Sequence, residues 1–257
     1  ELEGRPLGSA RSRPSGGGAP APAAALPTTP VLWAAAPGAP PSPLPLVLPE
    51  VAPFYRECVG ANVTLSEDGY TAERTKGCRQ SVLLGSAPLP RQEAGHYFEV
   101  EVRETVEGWV GGLGLGVTRT APGQLRRVPD KAWRLPQTFV VGYWGCVFLD
   151  GEERRTRWRA DALQAGDRVG VLCAADGSGD LRVFVNGTLA VSAEGALSGG
   201  APGAAELYPV VDVFAATLAV SLQPVARPPP RPWDQMPEAA SPPASPSGST
   251  TSPSIGS

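Results

Sequence analysis

The sequence predicts an all-β fold: a two-sheet antiparallel β-sandwich with disordered N- and C-terminal arms. Three observations predict it. Short runs of β-branched and aromatic residues recur through the middle of the chain, with no long helical period. Gly-, Asp- and Asn-rich turn clusters separate those runs. The chain carries 30 Pro and 31 Gly in 257 residues, too many for one compact domain of that length, and they concentrate at the two ends.

Residues 1–50 are Arg, Gly and Ser followed by Ala and Pro, a composition that buries too little apolar surface to offset the entropy of ordering. Residues 51–224 carry nearly all the periodic hydrophobic signal, and 225–257 return to Pro and Ser. Pro20, Pro22, Pro27, Pro30, Pro37, Pro40 and Pro41 interrupt every apolar run near the start. We therefore expect no targeting segment and no transmembrane span there.

Within 51–224 the elements follow in order. NVTL and YTAERT flank the turn Ser66-Glu67-Asp68-Gly69 and read as a hairpin, because Gly accepts the positive φ such a turn needs. HYFEVEVRE (96–104) alternates, with Tyr97, Glu99, Glu101 and Arg103 expected on a solvated face and Phe98, Val100 and Val102 facing a core. GLGLGVT (112–118), TFVVGYW (138–144), CVFL (146–149), RVGVLCA (168–174), DLRVFVNG (180–187), TLAVS (188–192), LYPVVDVF (207–214) and TLAVSLQ (217–223) read as further strands. DALQAGD (161–167) has room for one helical turn.

Several function classes lose support on composition. The formal net charge is −3, so no general basic field attracts nucleic acid. The four cysteines, Cys58, Cys78, Cys146 and Cys173, form no CxxC pair, which argues against zinc-finger and thioredoxin-type sites. Reduced, buried thiols are the expected state, and no metal or cofactor is expected. The chain's one histidine, His96, heads an alternating strand and reads as a strand-end residue rather than a catalytic base. Glu67-Asp68 and Glu152-Glu153 lie in turns, where adjacent carboxylates are solvated rather than poised as acid and base. Ser66 and Ser81 have no evident His or Lys partner. No enzyme is expected. Gly112-x-Gly114-x-Gly116 precedes no helix, so it does not read as a phosphate loop. Its glycines instead make room for a large side chain from the facing sheet.

Four motifs occur in a fixed order: GANVTLSEDGYTAERT (60–75), GHYFEVEV (95–102), GWVGGLGLGVT (108–118) and LYPVVDVFAATLAVSLQ (207–223). Together they resemble a neuralized homology repeat, the module of the Neuralized family, itself related to the SPRY domain. AGDRVGVLCAADGSGDLRVFVNG (165–187) is similar to SPRY sequences. The resemblance covers residues 54–223 and is weakest over 119–160. It implies a sandwich that binds a target protein or peptide through loops. It also implies a cytoplasmic role in ubiquitylation, as substrate recognition or as an adaptor for an E3 ubiquitin ligase. No Cys or His follows Cys173, so no RING is expected downstream, and the Pro/Ser tail lacks the apolar helices of a SOCS box.

The candidate partner-binding residues are Tyr70, Arg74, Trp109, Trp133, Tyr143, Arg154 and Arg155, because hot spots favour Trp, Tyr and Arg. Tyr70 and Arg74 follow the first turn and are expected to reach solvent. Trp109 reads more readily as core, Trp133 as exposed in the polar loop RRVPDKAWRLP, and Trp144 as core. The run GEERRTRWR (151–159) suggests two alternatives, a solvated hairpin or an anionic-lipid contact. An extracellular lectin-like sandwich, using Asn62 or Asn186 as glycan acceptors, is a third reading. Pro229-x-x-Pro232 is a weak polyproline signal.

Overall fold

The computed structural model describes residues 49–198 and 206–231. The remainder of the expected arms lies outside the described residues. Thirteen strands are described: β1 (Val63–Leu65), β2 (Thr71–Arg74), β3 (Val82–Leu84), β4 (Gly95–Thr105), β5 (Gly112–Thr118), β6 (Thr138–Tyr143), β7 (Cys146–Leu149), β8 (Glu152–Arg155), β9 (Arg168–Ala174), β10 (Leu181–Val185), β11 (Thr188–Ala193), β12 (Tyr208–Asp212) and β13 (Thr217–Leu222). They form a seven-stranded sheet, β1-β2-β13-β4-β9-β10-β11, and a six-stranded sheet, β3-β12-β5-β6-β7-β8, antiparallel throughout. The expected two-sheet sandwich is what forms.

The core lies between the sheets. Phe98, Val100 and Val102 of β4 and Val169 and Val171 of β9 meet Leu113, Leu115 and Val117 of β5 and Val141 of β6, all buried. Each fully buried side chain of this kind contributes about 1.5–3 kcal/mol. The first turn closes as the alternation implies. Gly69 takes φ 78°, its N–H donates to Ser66 O at 3.0 Å, and Asp68 Oδ1 accepts from Ser66 Oγ and Tyr70 N–H. At Asn186-Gly187 both residues take positive φ, the backbone a two-residue hairpin needs.

The structure differs from the sequence reading at five places. β3 is unanticipated, because three residues buried on both faces carry no alternation. β8 is a strand not read from the sequence, but its exposed Glu and Arg residues pair with β7 as the solvated hairpin expected of 151–159, and charge there discourages edge-to-edge pairing. Tyr97 is not solvated: it packs with Leu172, Phe184 and Ala226 on the outer face of the seven-stranded sheet. The expected helical turn is a 3-10 turn over Ala160–Ala162. The room at Gly114 is taken by Tyr143 of β6, in the same sheet, not by the facing sheet: a Cβ on Gly114 would lie 2.4 Å from Tyr143 Cζ.

Each outer face therefore carries its own apolar cover. Segment 119–137 brings Ala132 and Leu135 onto Val82, Leu84, Val140, Phe148 and Val210 of the six-stranded sheet, and residues 224–231 bring Ala226 onto the seven-stranded sheet.

Candidate protein-interaction surface

Strand register gathers five connections at one end of the sandwich. Thr217 pairs with Thr105, Gly112 with Tyr143, and Cys146 with Arg155. The loops 106–111, 144–145, 156–167 and 213–216, together with the chain leaving β2 at Arg74, thus lie side by side. Trp109 and Val110 project from the first of these. They are 47% and 72% exposed and, with Val225, are the exposed large hydrophobics among the described residues. Trp109 is therefore no core residue. Gly108 and Gly111 hold φ of 80° and 88° on either side of the tip.

The base of that tip is fixed. Val106 N–H donates to Ala216 O at 2.7 Å, and Ala216 N–H to Gly111 O at 3.0 Å. Gly111 N–H donates to Asp161 Oδ2 at 3.2 Å, and Asp161 is gripped by Arg159 through two bonds of 3.1 and 2.6 Å. Burial pushes the Asp161 carboxyl up, but Arg159 and the Gly111 N–H outweigh it and hold the group below the usual range. Phe214 packs beside Gly111, where an added Cβ would stand 2.9 Å from Cε1. Its ring lies 6.1 Å from that of half-buried Trp144.

A buried polar knot supports this aromatic rim. Asp212 accepts hydrogen bonds from Tyr143 Oη at 3.0 Å, Ser81 Oγ at 3.0 Å and Ala132 N–H at 3.2 Å. Burial raises its pKa, although Lys131 and these three donors pull the other way. Lys131 Nζ donates to Cys78 O at 2.6 Å and sits 3.3 Å from the centroid of Phe214, a desolvated cation–π contact. Burial lowers the Lys131 pKa against the pull of Asp212. Sequence reasoning missed Asp212 and Lys131, and weighed Ser81 only as a nucleophile, not as a donor to Asp212. An aspartate inside the apolar run LYPVVDVF was the available signal, since a buried carboxylate demands partners.

The other candidates are placed differently. Arg74 is 7% exposed and does not reach a partner; its guanidinium donates to the carbonyls of Gly77, Ala215 and Thr217, and burial lowers its pKa. It braces the loop that carries Phe214. Tyr143 is fully buried, because its hydroxyl is committed to Asp212. Trp133 is half-buried, stacked on Phe148 with centroids 4.7 Å apart and edge-on to Tyr143. Its loop looked polar in sequence, but it lies over an apolar outer face. Trp144, expected in the core, is a half-buried member of the same cluster. Tyr70 is half-buried at the opposite end and donates to Val51 O at 3.1 Å. Arg154 and Arg155 are exposed on β8, facing Glu152 and Glu153 at 3.6 Å each. The structure thus does not bring the seven candidates together; it separates Trp109 from Tyr70 by the length of the sheets.

Burial, reinforced by Glu153, pushes the Cys146 thiol up to about 11, and burial pushes Cys173 to about 12, so neither is a ready nucleophile. All four cysteines are free. Half-buried His96 holds Leu89 O at 2.9 Å through Nδ1. Among the described residues no cluster of three His, Cys, Asp or Glu is grouped to hold a metal ion, and no helix is long and apolar enough to cross a membrane. The side-chain nitrogens of Asn62 and Asn186 donate to Arg79 O and Asp167 Oδ1, both at 2.8 Å.

Comparison with known proteins agrees with this architecture. Neuralized-like protein 2 of Mus musculus is 26% identical, over 68% of this chain and 78% of that protein; its Homo sapiens counterpart is 25% identical over the same shares. The E3 ubiquitin-protein ligase NEURL3 of Homo sapiens is 30% identical, over 72% of this chain and 65% of the ligase. The crystal structure of the Drosophila melanogaster neuralized-NHR1 domain matches with a TM-score of 0.50 at 18% identity, covering 67% of this chain and 97% of that domain. The solution structure of the NEUZ (NHR) domain of the same protein matches with a TM-score of 0.50 at 17% identity, over 68% and 92%. The Neuralized family model matches residues 54–224, and the chain belongs to the Neuralized family.

Proposed function

We propose that this chain is a protein-recognition module that selects a target protein for ubiquitylation, with the ligase chemistry supplied by another chain or domain. One observation carries the reading: the Trp109–Val110 tip, exposed yet held at its base by Asp161, Ala216 and Phe214. A rigid apolar tip with an aromatic rim is what a protein hot spot requires, because little entropy remains to be lost on binding. Kinship with an E3 ubiquitin-protein ligase supports the ubiquitylation half of the proposal. The same reading puts the module in the cytoplasm, where free thiols such as these four persist. Lipid binding through the arginine run has less support, since Arg154, Arg155 and Arg159 each face a carboxylate.

The test is affinity capture with the full chain, wild type against Val110→Asp, read by mass spectrometry and followed by ubiquitylation of the captured target. A target and a ligase subunit retained by the wild type, with the target lost by the variant, is the expected result. Identical captured sets, or no ligase subunit, would sink the proposal. Equal retention of both proteins on anionic vesicles that neutral vesicles do not give would favour the lipid reading instead.

A further inference from the structure

The outer face of the seven-stranded sheet is a second surface, at a distance from the Trp109–Val110 end. Tyr97 of β4 and Leu172 of β9 are cross-strand partners, Phe184 of β10 sits beside Gly170 two residues along β9, and all three are essentially inaccessible to water. Tyr97 lies over Gly170: a Cβ there would meet the phenol oxygen at 2.0 Å. The sequence thus removes a side chain from β9 so that an aromatic ring can lie flat, giving a shallow aromatic floor rather than a set of upright side chains. Half-buried Leu189 and Ala94 form its rim.

The chain's own segment 224–231, Pro-Val-Ala-Arg-Pro-Pro-Pro-Arg, runs over this floor and seats Ala226 on it. Its start is anchored by Val51 N–H donating to Pro224 O at 2.7 Å. Ala226 is buried against Tyr97, Leu172 and Phe184, and its carbonyl accepts from Gln92 Nε2 at 3.1 Å. Pro228 and Pro229 are half-buried. Arg231 reaches Asp176 at 3.8 Å, and Asp176 is shared with Arg182 at 3.5 Å. An aromatic floor, a side-chain amide donating to a backbone carbonyl and a carboxylate receiving a flanking arginine together form the set that proline-rich peptides require. Such peptides lack N–H groups, offer carbonyls, and lose little entropy because they are already extended.

We propose that this face is a proline-rich peptide site, occupied in cis by residues 224–231 and open to a proline-rich, arginine-flanked segment of a partner protein that displaces them. The cis segment is its own evidence for the chemistry of the occupant, since it is seated there. Its hold is modest. The Arg231–Asp176 pair is solvent-exposed, and such pairs contribute little. The tether, however, gives the cis segment an effective concentration of about 1 mM, which a partner must outcompete. The proposal does not depend on the Trp109–Val110 tip.

The experiment uses the full chain and a labelled peptide of residues 223–233, read by fluorescence anisotropy. Ala226→Asp combined with Arg231→Glu, which places a charge against the aromatic floor and reverses the latch, is expected to bind the peptide at least tenfold more tightly than the wild type. A peptide itself carrying Ala226→Asp is expected to lose at least tenfold. Arg231→Glu alone, which leaves the floor covered, serves if the double variant melts early; it is expected to gain two- to threefold. No gain in a folded variant, or equal binding of the altered peptide, overturns the proposal. Trp109→Ala is expected to leave peptide binding unchanged, and loss of binding there also overturns it.

Discussion

The Tyr143 hydroxyl donates to Asp212 at 3.0 Å, joining two fully buried side chains 69 residues apart on β6 and β12. This bond turns the Tyr143 ring across Gly114 of the intervening strand and fixes the floor beneath Trp133, Trp144 and Phe214. Removing the carboxylate by Asp212→Ala leaves Tyr143 Oη, Ser81 Oγ and Ala132 N–H without a partner in the interior. At about 1–3 kcal/mol for each stranded donor, the expected loss is about 3 kcal/mol or more, read as a lower urea midpoint. Asp212→Asn keeps an oxygen for Ala132 and is expected to cost less than half of that. Equal losses in the two variants would contradict the network.

The two aspartates Asp161 and Asp212 are expected to give pH dependences of opposite sign. The folded pKa of Asp161 is held down, so its contribution is present above the ordinary aspartate range of about 4 and lost as pH falls through the lower folded value. The folded pKa of Asp212 is raised by burial, so the native state binds more protons, and its contribution is full below about 4 and declines as pH rises through the raised folded value. In melts across pH 3–7 set on that scale, Asp161→Asn is expected to flatten the acid limb and Asp212→Asn to steepen it. The same slope in both variants would refute these assignments.

Trp109→Ala and Val110→Ser are expected to leave the stability within about 0.5 kcal/mol of wild type, because both side chains are exposed. Target affinity is expected to fall by about tenfold or more for Trp109→Ala, the cost of losing a hot-spot aromatic. Titration calorimetry against the captured target checks it; unchanged affinity removes this end from the interface.

Arg74→Met preserves the aliphatic stem but strands the carbonyls of Ala215 and Thr217. A loss of about 2 kcal/mol is expected, with hydrogen exchange rising across 213–216. Arg154→Glu with Arg155→Glu, both on the exposed edge strand, is expected to change stability by less than about 0.5 kcal/mol. If the Arg74 variant is as stable as the edge variant, its bracing role fails.

Gly114→Ala drives a methyl group into the Tyr143 ring, 2.4 Å from Cζ. The ring has nowhere to retreat while its hydroxyl is held by Asp212. A loss of about 2 kcal/mol is expected from overpacking. Gly151→Ala, where the added carbon meets open space but φ is 94°, tests backbone strain alone and is expected to cost about 1 kcal/mol. Differential scanning calorimetry separates the two, and a harmless Gly114→Ala would mean that Tyr143 is not pinned.

The sequence by itself determined eleven of the thirteen described strands, the turns and the family. Alternation in HYFEVEVRE, Asn186-Gly187 and Asp150-Gly151 are local signals, set by backbone geometry and by which face of a strand meets water. Exposure was decided only by the tertiary structure. Trp109, Trp133, Tyr143 and Arg74 carry the same residue-type signal, yet one projects into solvent, one stacks on Phe148, one is tied to Asp212 and one is sunk beneath Phe214's loop. Segment 119–137 and residues 224–231 read as polar or proline-rich chain, but each lies on a sheet face whose apolar outer residues need cover. Those faces come together from strands distant in sequence, so a local pattern carries no record of what covers them; burial belongs to the packed sheets and not to the residue.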